Sequence, residues 1–515
     1  MSWVDYTVVI VYLVVVAAIG LSATGRQEST RKYFLADKQM PQWVIGFTLM
    51  ATLISSNTLV AHPGIVYQKS MILVPGFMVM PLVLIFVALY VVPFYRRVVG
   101  MSAYEYIGRR FGLGGRLYTS FGFLMSRTFG IGTALVTTSI AVNVMTGWDI
   151  GAVIVGIGAF TAAYTLFGGI TAVVYTDVFQ GVFLIIGGLA VLLRLLLAPE
   201  LEAPLAVVSA AWDAGKFNLG SSELSFASLF DPDDRTIWMF AAAMAIQWSR
   251  RYICDQAMVQ RYLIAKSGKA AIRGTLIGAL LSVPVLICFN LIGAFLFGFF
   301  AEADVEAPTI GDHALPFFIV NYLPAGLVGL ILAAILAASM SSISSDLNSI
   351  ATVATQDYFR RFVPGLSDRA QLMIGKLIVL LAGVAAAWIA IVLIPTADSA
   401  PVAERVLVIT VIVSAGTLGV FALGFLTTRA TRRGCYTGIA ACLLFTAWGV
   451  LTEPTARIVD LGPYNFQMNP IMIGILGHLI SFGTGYMGSL VMGGYRPDDV
   501  QELQLFRRPG AARQS

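Results

Sequence analysis

The amino-acid sequence predicts an all-α polytopic membrane protein with about 13 transmembrane helices. Of its 515 residues, 58% are hydrophobic and only 12% are charged, whereas roughly a quarter of the residues in a soluble domain carry charge. Apolar runs of about 20 residues recur from end to end, and each can cross a hydrocarbon core about 30 Å thick. The longest polar connection, near 199–235, is too short to form a domain. We therefore expect the functional site to lie within the membrane.

The predicted spans follow one another with short connections between them. Asp5 lies near the start of the first span and no small-residue cleavage site follows, so we expect an uncleaved membrane helix instead of a signal peptide. Charged residues, prolines and glycines delimit the other spans. The predicted spans are 4–23, 42–68, 72–97, 118–145, 149–168, 172–197, 236–258, 272–300, 317–345, 371–395, 404–427, 434–451 and 469–493.

Charged residues alternate between two sets of loops. Arginine and lysine are concentrated in every second loop, and aspartate and glutamate in the loops between them. The positive-inside rule then predicts an outside N-terminus and a cytoplasmic C-terminus in the plasma (inner) membrane. Loop asymmetry also accounts for the net charge of +5, so the expected partner is the lipid bilayer and not nucleic acid. The basic residues that set this orientation include Arg26, Arg31, Arg96, Arg97, Arg109, Arg110, Lys266, Lys269, Arg360, Arg361, Arg432 and Arg433.

Polar residues interrupt the second span halfway across. Ser55, Ser56, Asn57 and Thr58 compete for backbone hydrogen bonds, and Pro63 removes a backbone donor. These features predict a helix that is broken within the membrane, with carbonyls freed toward a cavity. The alternative is a kinked but continuous helix whose hydroxyls bond to their own backbone.

Small residues form a stripe on the ninth span. Ala338, Ser341 and Ser342 are spaced at i, i+3 and i+4, and Ser345 continues the same face one turn later. Hydroxyls and freed carbonyls suit sodium, a hard cation that prefers oxygen ligands. The spacing fits close helix packing through small residues equally well. The residues alone leave both interpretations open.

Charged side chains within the spans are costly to bury and therefore mark candidate functional positions. Asp177, near the inner end of the sixth span, is a cation ligand, a proton site or an interfacial residue in water that caps its helix. Arg250 and Arg251 in the seventh span either bind an anionic solute or pair with Asp255. Arg127 in the fourth span has the same two interpretations.

The sequence lacks the usual signatures of an enzyme. It contains no HExxH, no GxSxG between a strand and a helix, and no cysteine and histidine cluster. We therefore expect a carrier. The alternative from a different class is a membrane sensor or channel that shares the same fold.

Three stretches of the chain resemble the sodium:solute symporter family. They are 168–180 (GGITAVVYTDVFQ), 255–267 (DQAMVQRYLIAKS) and 337–349 (AASMSSISSDLNS), with support from 104–112 and 416–424. The resemblance implies the leucine-transporter fold, a 5+5 inverted repeat of helices, with one extra helix before it and two after it. The implied divisions are 1–41 for the extra N-terminal helix and its loop, 42–197 for the first repeat, 198–235 for an extracellular loop, 236–430 for the second repeat, and 431–515 for the two C-terminal helices and tail.

The resemblance also implies sodium as the coupling ion, together with its ligands. The implied central sodium site consists of the carbonyls of Ala51, Ile54 and Ala338 and the hydroxyls of Ser341 and Ser342. A second sodium, nearer the cytoplasm, would use Asp177, Ser344 and Ser345 together with Ser341.

The branches of the family bind different solutes, and the resemblance indicates which class of solute this chain transports. Where the glucose-transporting branch has sugar-binding polar residues, this chain has Leu53, Phe77, Ser282 and Ile409, which disfavours glucose. The branch that transports sialic acid binds a carboxylate through short hydroxyls of the broken helix and an arginine. Ser55 and Thr58 are similar to those hydroxyls, and Arg127 lies about one turn from the arginine position.

We therefore expect a sodium-coupled symporter that imports a small organic solute by alternating access. The expected solute carries a carboxylate, as a sialic acid, a sugar acid or a monocarboxylate does; a neutral sugar or polyol is the alternative. The candidate solute-binding residues are Ser55, Ser56, Thr58, His62, Phe77, Arg127, Trp248 and Arg251.

Overall fold

The computed structural model describes residues 1–23, 29–201, 203, 205–223, 227–230, 236–303, 305–394, 415–453 and 458–506. Within these ranges the regular structure is helical, and strand-like pairing is limited to the isolated bridges Met40 to Ala265 and Ser221 to Thr236. The prediction of an all-α chain is confirmed.

Twenty α-helices follow one another along the described residues. The helices of the first half are α1 (Trp3–Ser22), α2 (Thr30–Leu35), α3 (Gln42–Leu53), α4 (His62–Gln68), α5 (Val74–Phe86), α6 (Val92–Val98), α7 (Tyr104–Phe111), α8 (Leu113–Thr146), α9 (Ile150–Leu196) and α10 (Ala206–Asp213). Those of the second half are α11 (Ile237–Ser249), α12 (Gln256–Ile264), α13 (Gly268–Glu302), α14 (Gly311–Tyr322), α15 (Leu327–Val353), α16 (Arg360–Phe362), α17 (Asp368–Val392), α18 (Thr417–Leu426), α19 (Arg432–Thr452) and α20 (Ile471–Met492).

The described helices cover most of the predicted spans. In the described part of the chain, nine helical stretches are long and apolar enough to cross a membrane, and the bent pair α3 and α4 would form a tenth span. The predicted seventh span is divided into shorter pieces, and residues 404–414 of the eleventh lie outside the described residues. The count of about 13 spans therefore stays a prediction.

Helix α9 contains the fifth and sixth predicted spans. Its 47 residues would extend about 70 Å if straight, more than twice the hydrocarbon thickness. The backbone instead leaves helical geometry at Gly169, where φ is +57°. A Cβ on Gly169 would lie 2.7 Å from the carbonyl oxygen of Tyr33, so only glycine fits this kink.

Helix α15 lies at the centre of the bundle. Of its 27 residues, only Leu327 and Leu330 are not buried, and it packs against α1, α3, α8, α9 and α17. Its serines therefore face protein neighbours on every side and not lipid.

Arginines of alternate predicted loops meet at one end of the bundle. Arg109, Arg116, Arg360, Arg361 and Arg432 line an open depression there, together with Glu105. We call this the basic end. Ser345 lies about one helical turn closer to it along α15 than Ser341 does.

Candidate functional site

The second predicted span is broken, as its polar residues predicted. Helix α3 ends at Leu53, Ile54 is extended with ψ of 103°, and the chain resumes as a π-helical turn over Asn57–Ala61. The two halves are bent by 63°. The amide of Thr58 donates to the carbonyl of Ser55 at 2.9 Å and not to that of Ile54, so the Ile54 carbonyl is left out of the helical ladder.

The break packs against the serine stripe of α15. The hydroxyl of Ser341 donates to the carbonyl of Ala51 at 2.7 Å and lies 3.5 Å from the carbonyl of Ala338. The hydroxyl of Ser342 donates to the carbonyl of Thr52 at 3.4 Å. We call Ala51, Ile54, Ala338, Ser341 and Ser342 the central cluster. Its donors are neutral hydroxyl and carbonyl oxygens, the ligand set that hard cations prefer.

Asp177 lies in a second polar group on the side of the central cluster toward the basic end. It is fully buried, and its Oδ2 accepts hydrogen bonds from the hydroxyls of Thr48 and Ser345 and from Nη2 of Arg261, the last at 3.2 Å. Arg261 also donates to the hydroxyl of Ser345. We call Asp177, Arg261, Ser344 and Ser345 the inner cluster. Asp177 is therefore not an interfacial helix cap in water, because a buried arginine neutralises it.

Arg261 is the charged residue of this region that the sequence analysis missed. It lies within the 255–267 stretch, on α12, and none of its side chain is exposed. The sequence feature that could have indicated its role is a single arginine in an otherwise apolar and amide-rich helix. Its partner, Asp177 on α9, is distant in the sequence. The hydroxyl of Ser344 turns back to the carbonyl of Ser341 at 3.1 Å, while Oδ1 of Asp177 has no hydrogen-bond partner within the described residues.

The two arginines predicted to contact solute are both paired with carboxylates. Arg127 lies 3.0 Å from Asp255 and 3.6 Å from Asp346. Arg251 lies 2.7 Å from Asp255 and donates to the carbonyl of Thr52 at 3.4 Å. Arg250 has a different partner, since its Nε donates to the neutral side chain of Gln247 at 2.9 Å. Arg251 and Arg127 therefore both pair with Asp255, which is one of the two interpretations given above.

The other candidate solute residues form an aromatic group and a hydroxyl group. His62 stacks on Phe77 with ring centroids 5.4 Å apart, and Phe77 lies 6.4 Å from Trp248, whose indole donates to the carbonyl of Gly76 at 2.9 Å. The hydroxyl of Ser56 donates to the carbonyl of Ala134 at 3.0 Å, so it anchors the break to α8.

Ser55 and Thr58 differ from Ser56. Within the described residues, neither hydroxyl makes a hydrogen bond, and Ser55 is only half-buried. These two hydroxyls are thus the ones at the break that are available to a solute.

The described residues contain no group of three or more histidine, cysteine, aspartate or glutamate side chains that could hold a metal ion.

Comparison with known proteins agrees with this arrangement. The model of the sodium:solute symporter family matches residues 33–441. The sodium/sialic acid symporter NanT of Aliivibrio fischeri is 28% identical over 505 residues, which cover 97% of this chain and 95% of that protein. The sodium/sialic acid symporter SiaT of Proteus mirabilis is 28% identical over 447 residues, which cover 86% of this chain and 88% of that protein.

A solved structure extends the agreement to the fold. The substrate-bound, outward-open state of a Na⁺-coupled sialic acid symporter matches with a TM-score of 0.86 and 25% sequence identity, over 96% of this chain and 99% of that one. The match confirms the predicted leucine-transporter type of fold. The relatives named above are transporters, which confirms the prediction that the chain is not an enzyme.

Proposed function

Because the chain belongs to the sodium:solute symporter family, we propose that it imports a small carboxylated solute together with sodium by alternating access. Sodium binds the central cluster through the carbonyls of Ala51, Ile54 and Ala338 and the hydroxyls of Ser341 and Ser342. The ion is a transported substrate. Its five proposed ligands are all oxygen atoms, which suits a hard cation.

The single observation that carries this proposal is the contact between Ser341 and Ala51. This hydrogen bond, 2.7 Å long, joins the central helix α15 to the end of α3, where the helix breaks. A sodium ion bound by both elements replaces a weak contact with several ion–oxygen bonds. Bound sodium therefore favours the conformation in which the break is held against α15, and its loss to the cytoplasm releases both the helix and the solute.

Coupling follows from linkage. Where sodium raises the affinity for the solute by a given factor, the solute raises the affinity for sodium by the same factor. This reciprocity requires no direct contact between the two ligands. Ser55 directly follows Ile54 of the central cluster, and Thr58 lies three residues further along. Their hydroxyls therefore change position with the break, which couples a bound solute to its conformation.

The relatives favour a carboxylated solute. Two of them are named as sialic acid symporters, and sialic acid carries one carboxylate and several hydroxyls. In our proposal the free hydroxyls of Ser55 and Thr58 bind its polar groups. The aromatic group of His62, Phe77 and Trp248 covers its less polar face, and Ser56 holds the break in place. Arg127 and Arg251 would supply positive charge through the cluster they share with Asp255.

We also propose a second sodium at the inner cluster, bound by Asp177, Ser344 and Ser345 together with Ser341. Arg261 already occupies Oδ2 of Asp177, so the ion would use the unpartnered Oδ1 or displace the guanidinium. In the same proposal the basic end is cytoplasmic, as the positive-inside rule implies, and the N-terminus is outside.

The experiment is uptake into proteoliposomes that contain the purified protein. Labelled sialic acid, pyruvate and a neutral polyol are each offered with an inward sodium gradient, and with potassium in place of sodium. We expect sodium-dependent uptake of a carboxylated compound. Equal uptake in sodium and potassium would contradict sodium coupling, and sodium-dependent uptake of the polyol alone would contradict the solute class.

A further inference from the structure

Five arginines from four different helices meet at the basic end. They border the open depression described above, which has about 850 Å³ of space, within the roughly 300–1,000 Å³ typical of ligand sites. Arg109 belongs to α7, Arg116 to α8, Arg360 and Arg361 to α16, and Arg432 to α19. Because like charges repel one another, such a wall is unfavourable unless carboxylates or bound anions compensate it.

Within the described residues, carboxylates pair with only two of these arginines. Nε of Arg116 donates to the buried Asp357 at 2.9 Å, and Arg109 lies 3.0 Å from Asp499. The carboxylate of Glu105, which is on the wall itself, accepts three backbone amides of the neighbouring loop instead. When the wall and its ion-pair partners are counted together, five arginines face three carboxylates, which leaves an excess of two positive charges.

The other three guanidinium groups keep free donors. Arg360 donates through Nη1 to the amide oxygen of Gln356 at 3.0 Å, which leaves most of its N–H groups unused. Arg432 lies over the ring of Tyr495 at 5.0 Å, and stacking orients a guanidinium without using its N–H groups. Arg361 is exposed and makes no ion pair within the ranges that the structure describes.

The start of α8 forms part of the same wall. Gly112 and Leu113 line the depression, and Gly112, the N-cap, offers no side-chain acceptor to the first amides of this 34-residue helix. A Cβ on Gly112 would lie 2.7 Å from Nε of Arg432, so glycine allows this guanidinium to lie against the helix start. The positive end of the helix dipole therefore adds to the charge of the arginines.

Exposed apolar side chains flank the arginine pair of α16. Phe359, Phe362 and Val363 adjoin Arg360 and Arg361 in the sequence, and they are 42%, 56% and 48% exposed. Arginines next to exposed aromatic and aliphatic side chains are typical of segments at the boundary between lipid headgroups and acyl chains. A soluble phosphate would contact the arginines only and leave these apolar side chains in water.

These observations favour one kind of ligand, an anion that carries an apolar tail. We propose that the depression at the basic end binds the phosphodiester headgroup of an anionic phospholipid through Arg360, Arg361 and Arg432. The acyl chains lie along Phe359 and Phe362. Guanidinium groups bind phosphate oxygens through paired N–H donors, and basic pockets between membrane helices suit anionic headgroups. In the proposed orientation this lipid belongs to the cytoplasmic leaflet, the anionic one.

The bound headgroup would connect the central helix to the C-terminal helices. Helix α15 continues through a π-helical turn over Ala354–Phe359 into α16, and α19 packs against α20. A phosphate held between the arginines of α16 and α19 therefore joins the end of the serine-bearing helix to the C-terminal pair. The expected consequence is a more stable bundle, whichever solute and ion are transported, so the inference does not rest on the proposed function.

The test is lipid binding to the full-length protein in a neutral detergent. Phosphatidylglycerol, zwitterionic phosphatidylcholine and soluble glycerol 3-phosphate are each titrated at low salt. The unfolding midpoint is followed, and native mass spectrometry counts the retained lipids. The wall variant combines Arg361→Gln with Arg432→Gln. The control variant combines Arg369→Gln with Arg433→Gln, which removes the same charge from exposed arginines that are not on the wall.

We expect phosphatidylglycerol to raise the unfolding midpoint of the wild type and of the control variant, and phosphatidylcholine to have little effect. The half-maximal phosphatidylglycerol concentration should rise about tenfold or more in the wall variant, because two of the three free guanidinium groups are lost. It should rise less than about threefold in the control variant. Phe362→Ser should weaken the response to phosphatidylglycerol, because it removes an apolar contact with the lipid.

The three ligands distinguish a lipid from a soluble phosphate. Stabilisation by phosphatidylglycerol but not by glycerol 3-phosphate at matched concentrations, weakened in the wall variant, supports the lipid site. Equal stabilisation by the two compounds identifies a soluble phosphate as the ligand and contradicts the lipid. The inference is overturned if phosphatidylcholine stabilises the wild type as well as phosphatidylglycerol does, or if the wall and control variants retain the same number of phosphatidylglycerol molecules.

Discussion

The central and inner clusters both include serines of α15, about one turn apart, yet they differ in how they accommodate positive charge. The central cluster consists of neutral carbonyl and hydroxyl oxygens around the break after Leu53. The inner cluster contains the carboxylate of Asp177 and already holds a cation, the guanidinium of Arg261. An ion entering the central cluster replaces only weak hydrogen bonds, whereas an ion entering the inner cluster competes with a buried salt bridge. In our proposal the central cluster is therefore the main sodium site.

The largest expected effect comes from breaking the salt bridge of the inner cluster. Replacing Asp177 with Asn leaves Arg261 buried without a carboxylate, which should cost about 3–5 kcal/mol of stability. Arg261→Gln should cost a comparable amount. The double variant should recover much of the loss, because it leaves no unpaired charge. The measurement is the unfolding midpoint of the four proteins in detergent.

Additive losses in the double variant would contradict the pairing of Asp177 with Arg261. Because neither substitution alters the central cluster, folded fractions of all variants should retain sodium-dependent solute binding.

The next effect concerns the central cluster itself. Ser341→Ala removes a hydroxyl that bonds to the carbonyl of Ala51 and a proposed ligand of the ion. The loss of one buried donor typically costs about 1–3 kcal/mol, so the sodium concentration for half-maximal uptake should rise roughly tenfold or more. Sodium activation curves of uptake provide the measurement, and an unchanged curve would remove Ser341 from the ion site.

A third prediction concerns the number of ions. If sodium also binds the inner cluster, wild-type activation should be sigmoidal, with a Hill coefficient near two, and Asp177→Asn should lower it toward one. Arg261→Lys keeps a cation near Asp177 and provides the matched control. Hyperbolic activation in the wild type, unchanged in Asp177→Asn, would mean that a single sodium ion is coupled.

The smallest effect should come from Ser344. Its hydroxyl donates to the carbonyl of Ser341 in its own helix, so Ser344→Ala removes only a local hydrogen bond. We expect sodium activation to change by less than about threefold and stability by less than about 1 kcal/mol. A change as large as that of Ser341→Ala would instead support Ser344 as an ion ligand.

Features encoded by local chemistry could be predicted from the sequence. The break in the second span was predictable because Ser55, Asn57 and Pro63 each weaken the helix at one place. The kink at Gly169 was also predictable, because a glycine pair weakens the helix between two predicted spans. The serines of α15 were predictable as one face, but spacing alone could not separate ion binding from packing.

Features that depend on distant pairing could not be predicted. Asp255 accepts the amide of Ala257 and so begins α12, which divides a run that looks continuous in the sequence. Arg261 is then brought against Asp177 on α9, and nothing near either residue in the sequence indicates this. The same holds for Arg250, whose lack of a carboxylate becomes visible only when the partners of its neighbours are known.

The central claim is that sodium binds where the broken helix meets α15, and the most direct test is sodium binding to Ser342→Ala. Ser349→Ala is the matched control, because Ser349 is also a buried serine of α15 but bonds to the carbonyl of Asp346 in its own helix. Sodium is titrated into the purified proteins with and without labelled solute, and solute binding is read out by scintillation proximity. We predict that Ser342→Ala needs roughly tenfold more sodium than the wild type, while Ser349→Ala matches the wild type. Equal sodium requirements in Ser342→Ala and Ser349→Ala, with both proteins folded, would contradict the account.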